Sequence, residues 1–172
     1  MGKKSKTKGA SAERVVCKLL SNWWNFWRQP IDEEPFKFER TPLSGGWAKG
    51  SGKQFGTGAD IVCSDPDFPF SVEVKRREGW SEDNFFAGKK SPVWKWINQC
   101  ETQAMEANKY ALLFFRKNRM EWHVAFPAYI ASPAHLTPRW KITVPDGEDI
   151  PVTWNVLTAE EFLHTMPSDW TE

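Results

Sequence analysis

Nowhere in this chain do apolar residues run long enough to span a bilayer, and its lysine-rich N-terminus has no apolar segment of the kind that directs secretion. The expectation is a soluble, cytoplasmic protein with no membrane partner. Cysteine is scarce: Cys17, Cys63 and Cys100 are widely spaced and odd in number, which fits neither a disulfide framework nor a zinc site, so reduced and mostly buried thiols are expected. No internal repeat is present. The glycines between Gly45 and Gly58 form neither a GxxxxGK[ST] phosphate loop nor a dinucleotide fingerprint, which removes the two commonest nucleotide-binding readings. His123 has no second histidine or cysteine near it in sequence and reads as structural.

Positive charge is nearly absent from the C-terminal end. Residues 1–140 hold 22 of the 23 Lys and Arg and 15 of the 22 Asp and Glu, an excess of seven positive charges, whereas residues 141–172 hold one base against seven acids. The net charge of +1 therefore conceals a basic part able to meet a polyanion and an acidic end. A solvated surface is the plainer reading of the same charges. At 172 residues the chain is most simply one domain with a sizeable core, for which its 11 Trp and 12 Phe supply large side chains.

Along the chain, residues 1–10 read as a basic, flexible arm in which Lys3 and Lys4 can follow phosphates. From Ser11, a plausible N-cap, Val15, Val16, Leu19, Leu20, Trp23 and Trp27 repeat at helical spacing, and Glu13 falls at the rim of that stripe. A carboxylate there either reaches a site at the sheet edge or simply favours the helix dipole. FKFER alternates as a short strand. The glycine-rich segment that follows reads as a mobile loop whose Ser44, Lys49 and Lys53 can contact phosphate, or as a linker with incidental polarity. Val93 to Lys109 reads as a helix, with Trp94, Ile97, Glu101, Met105 and Asn108 along one side. Tyr110 to Arg116 is the continuous apolar run of a strand covered on both faces, and EWHVAF is its hairpin partner. Residues 141–156 read as two short strands, and Thr158 with Glu161 as a capping box opening a terminal helix.

The chemistry concentrates between Gly58 and Arg77. Phe70, Val72 and Val74 alternate with Ser71, Glu73 and Lys75, so Glu73 and Lys75 share one face of a strand. If the run from Ala59 to Cys63 pairs with it across the turn at Asp65 to Pro69, Asp60 comes near Glu73. Two adjacent carboxylates are costly unless a cation lies between them, and Mg²⁺ is the natural candidate. Helix, three strands, helix, strand is the order of an α/β or α+β domain with a central mixed sheet and flanking helices.

Taken together, GASAERVVCKLL, FERTPLSGG, GADIV, VEVKRR, a helix holding WxxQ and the strand ALLFFR resemble the archaeal and phage Holliday junction resolvases of the PD-(D/E)XK nuclease superfamily, over about residues 8–127. The resemblance implies a restriction-endonuclease-like core spanning 11–127 and a metal-dependent endonuclease acting as a homodimer on four-way DNA junctions, in the host cytoplasm if a phage encodes it. It implies that Glu13, Asp60 and Glu73 hold or support Mg²⁺, which Mn²⁺ replaces, with the Val74 carbonyl as a further ligand, and that Lys75 positions the attacking water and the scissile phosphate. Gln99 orients the site, with Gln103 one turn on as second choice, and Arg40 and Ser44 contact substrate. Arg76 and Arg77 extend the expected DNA-binding set beyond Lys3, Lys4, Lys49 and Lys53. Ala59 stands where a proline usually precedes the motif aspartate, the loop after Ser44 is longer than in compact members, and residues 128–172, an acidic extension packed on the same domain, have no identified counterpart. A relative acting on flaps, ends or other branched DNA would use the same residues. A noncatalytic DNA-binding module would be expected to have lost one of Asp60, Glu73 and Lys75.

Overall fold

The computed structural model describes residues 3–28, 34–41, 58–85, 90–130, 136–144 and 152–170. In chain order the elements are α1 (Lys3–Arg28), β1 (Phe38–Arg40), β2 (Ile61–Cys63), β3 (Phe70–Arg76), α2 (Pro92–Glu106), β4 (Tyr110–Arg116), β5 (His123–Pro127), β6 (Trp140–Val144), β7 (Val152–Thr158) and α3 (Ala159–Leu163), with short 3₁₀ turns at Glu82–Phe85 and Pro167–Trp170. The strands form one mixed sheet in the order β1-β2-β3-β4-β5-β7-β6. Only β3 and β4 among these neighbours run parallel; such a pair needs a crossover, and α2 provides it.

Alternation along β4 decides how the layers are built. Leu112 and Phe114 join α1, Phe70, Val72 and Val74 in one core, while Ala111, Leu113 and Phe115 join Val93, Ile97, Cys100 and Ala104 of α2 in another. The central strands are thus buried on both faces, as the continuous apolar run of β4 predicted, and each large side chain so placed contributes about 1.5–3 kcal/mol. β3 departs from the half-buried strand expected. Its Ser71 and Glu73 are as buried as its valines, because α2 covers the face they point to.

Two helical readings shift. α1 begins at Lys3, so Ser11 lies within the helix and residues 3–10 continue it; lysine is a good helix former and nothing in KKSKTK breaks the run. The buried stripe of α1 is Ala12, Val16, Leu20, Trp23 and Trp24, with Val15 and Trp27 left outside. On α2 the buried stripe is Val93, Ile97, Cys100 and Ala104, and Met105 is exposed. Ser91 caps this helix, accepting from the Val93 and Trp94 N–H groups, with Pro92 in its first turn.

The acidic end completes the sheet. β7 pairs with β5 and with β6, and Phe162 and Trp170 pack onto Phe126 in the α1-side core. Thr158 and Glu161 form the expected capping box. Thr158→Ala should therefore cost about 1 kcal/mol in urea unfolding; an unchanged midpoint would count against that role. His123 is buried among Trp80, Phe115 and Trp140, where desolvation lowers its pKa, in keeping with a structural residue. No helix among the described residues is long and apolar enough to cross a membrane.

Candidate active site

Asp60 sits at the junction of three strands. Its backbone N–H donates to the Val72 carbonyl at 2.9 Å, its carbonyl accepts from the Thr41 N–H at 2.9 Å, and its Oδ2 accepts from the Val74 N–H at 2.9 Å. The side chain thereby serves as an acceptor for β3 at the residue before β2 begins, which holds the carboxylate against β3. Glu73, two residues from Ser71 on the same face, is 1% exposed. Its Oε1 accepts from Lys75 Nζ and, at 3.0 Å, from Gln99 Nε2 of α2. Among the described residues, its Oε2 is buried without a hydrogen-bond partner.

That orphaned oxygen bears on what the site can hold. Burial first, and the Asp60 charge second, push the Glu73 pKa up to about 7, against the opposing pull of Lys75. Neither ionised carboxylate can donate a hydrogen bond, so the space between them suits a shared proton or a cation. An oxygen-ligand dication would satisfy Glu73 Oε2 and offset the repulsion, so the donor set would suit Mg²⁺ better than a softer metal.

A family model described as "phage putative PDDEXK endonuclease" matches residues 4–170. The chain belongs to this family. It is a nuclease of the PDDEXK superfamily, and the match runs on through residues 128–170, beyond the part for which the sequence motifs showed a counterpart. No curated protein sequence matches it. Among solved structures, a Holliday junction resolvase of the archaeal hyperthermophile Archaeoglobus fulgidus is similar to it, with 16% identity, a TM-score of 0.42, and an alignment covering 90% of this chain and 99% of that one.

In this PDDEXK endonuclease the structure brings together Asp60, Glu73, Lys75 and Gln99, with Val74 joining them through its N–H. Gln103 stands apart: its Nε2 donates to the Gly58 carbonyl at 2.8 Å, which ties α2 to the segment entering Asp60. Gly58 allows that approach, since a Cβ there would lie 3.0 Å from Gln103 Nε2. Glu13 does not join the carboxylates. It is buried and paired with Arg40 of β1, and among the described residues no group of three or more His, Cys, Asp or Glu gathers. The Glu13 and Arg40 side chains thus hold each other across α1 and β1, a partnership that sequence spacing did not disclose.

Ser44, Lys49 and Lys53 lie outside the described residues, as do the side chains of Lys3 and Lys4, whose backbones open α1. Arg76 donates from Nε to Asn118 Oδ1 at 2.7 Å, and Arg77 is exposed, its N–H on the Arg116 carbonyl. The three cysteines are free. Burial raises the Cys17 and Cys63 thiols to about 11 and Cys100 further still, so none is a competent nucleophile at neutral pH.

Proposed function

We propose that this protein is a Mg²⁺-dependent, structure-selective DNA endonuclease that cuts four-way junctions by phosphodiester hydrolysis, as a homodimer, during phage recombination or replication in the host cytoplasm. The observation that carries the metal-dependent part is the buried, unpartnered Glu73 Oε2 beside Asp60. Junction selectivity is supported by the resemblance of GASAER and RTPLSGG to junction resolvases, and a junction cut symmetrically needs two sites on one dimer.

Asp60 and Glu73, with the Val74 carbonyl, would hold the ion. When bound, the ion neutralises a nonbridging phosphate oxygen, lowers the pKa of water and stabilises the leaving 3′-oxygen. Lys75 presents a cation at the mouth of the site, 15% exposed against 1% for its partner Glu73, and it cannot compete as a metal ligand. Gln99 and Lys75 together occupy Glu73 Oε1, which fixes the carboxylate so that Oε2 faces inward. Mn²⁺, with similar ligand preferences, would substitute.

The test incubates the protein with labelled four-way junction, flap, duplex and single-stranded DNA, with and without Mg²⁺, beside Lys75→Ala. Paired Mg²⁺-dependent nicks in the junction, lost in the variant, are expected. Equal cutting of flaps and ends would replace the junction reading with a general branched-DNA or repair nuclease, and binding without cleavage would leave a DNA-binding module.

A further inference from the structure

Immediately after Lys75, β3 and β4 end side by side on two arginines. Arg76 is the register partner of Arg116 across the parallel ladder, and by alternation both side chains leave the sheet on the α1 face, opposite Glu73 and Lys75. Neither guanidinium pairs with a carboxylate among the described residues, whereas Arg28, Arg40 and Arg139 each do. Each is instead held by a neutral group. Asn118 Oδ1 accepts from Arg76 Nε at 2.7 Å, and the Arg116 guanidinium lies 4.5 Å from the Trp122 ring centroid. Arg116 Nε is buried without a hydrogen-bond partner. Glu78, the acid nearest in sequence to Arg76, is exposed and accepts from the Asn118 N–H at 3.1 Å. Burial, and then the charge of Arg76, lower the Arg116 pKa, so the pair carries an electrostatic cost that no carboxylate among the described residues offsets by pairing.

We infer that Arg76 and Arg116 form a clamp for a nonscissile phosphodiester of the DNA strand that passes the end of β3, Arg76 being oriented by Asn118 and Arg116 by Trp122. Guanidinium groups suit this because their planar forks match phosphate oxygens, and stacking on an indole fixes the plane without neutralising the charge. Lys75 projects from the opposite face, so the phosphate in the clamp is a flanking one, and its capture sets affinity and register while the chemistry stays at Glu73. The inference rests on the reading of the chain as a DNA nuclease and adds to it a second anion site and its positioning residues.

Fluorescence anisotropy of a labelled four-way junction with the full chain in EDTA, over a range of salt concentrations, tests this. Arg76→Gln/Arg116→Gln removes both charges and keeps a polar, planar amide on a shorter stem at each position. It should bind roughly 10- to 100-fold more weakly, and its slope of log affinity against log salt should fall by about 1–2. With Mg²⁺, KM should rise while kcat at saturating DNA stays within about threefold. Arg139→Gln removes a cation already paired with Glu121 and Glu161, and should leave the slope unchanged. Arg76→Gln alone, should the double variant melt early, is expected to give about half the slope change. An unchanged slope, an equal loss in Arg139→Gln, or a fall in kcat at constant KM would overturn the clamp. Wild-type cleavage of DNA alongside any of those results would leave the nuclease reading standing, and wild-type protein that neither binds nor cuts DNA would overturn both.

Discussion

Glu73→Gln should abolish cleavage, by at least about 10³-fold in kcat/KM, and leave the fold intact. The amide keeps an oxygen for Lys75 and Gln99, and its NH₂ would replace Oε2 and donate toward Asp60, so every polar group of the buried site has a partner. What disappears is the second negative charge of the proposed cation site. Loss of one ligand from a two-carboxylate set, together with the oriented Lys75 it supports, removes transition-state stabilisation of about 4 kcal/mol or more, the equivalent of that fold-change. Single-turnover cleavage in Mg²⁺ reports the rate, and circular dichroism the fold. A variant retaining a tenth or more of wild-type activity would remove Glu73 from the metal site.

Metal-free wild-type protein should lose stability as pH rises across the range where most proteins gain it, and Glu73→Gln should not. Glu73 titrates near 7 in the folded protein against an ordinary value of 4.5. Between those values the folded state holds a proton that the unfolded state has released. The stabilisation is complete below about pH 4.5 and is lost as pH rises through 7. The gap corresponds to about 3 kcal/mol, or about 6–12 °C in Tm for a chain of this size. The difference in Tm between Glu73→Gln and wild type, measured in EDTA, should therefore be small at pH 4.5 and reach that size, in favour of the variant, at pH 8. Saturating Mg²⁺ at pH 8 should restore wild type, by about 2.7 kcal/mol at one hundred times its Kd, and should have little effect on the variant. A difference independent of pH would show that Glu73 is ionised at neutral pH without a cation.

The local code of this chain was legible wherever neighbouring residues share a fate. The alternation in FSVEVKR places Glu73 and Lys75 on one face, YALLFFR is the doubly covered strand it reads as, and Thr158 with Glu161 closes its capping box. The turn between Asp65 and Pro69 was enough to bring Asp60 to β3, because an antiparallel hairpin fixes which residues face one another. The family resemblance then implied roles for Gln99 and Lys75 that spacing alone does not, and both side chains hydrogen-bond Glu73.

Other features depend on partners far away in sequence. Helical periodicity outlined a broad apolar stripe on α1, but the sheet beneath decided that Trp24 is buried and Trp27 is not. Glu13 reads from the sequence as a rim carboxylate, while the structure sets Arg40 of β1 against it, 27 residues on, and an ion pair of that separation leaves no local signal. Nor does the sequence tell Arg76 and Arg116, which pair with no carboxylate among the described residues, from Arg139, which pairs with two; the parallel register of β3 and β4 sets the first two side by side. By itself the sequence determined most of the elements, the strand face that Glu73 and Lys75 share and the nuclease family, because those are written in periodicity and short motifs. Tertiary structure alone decided which charges are neutralised, which carboxylate oxygen is left without a partner and how far burial moves its pKa, because these quantities depend on what lies across the sheet.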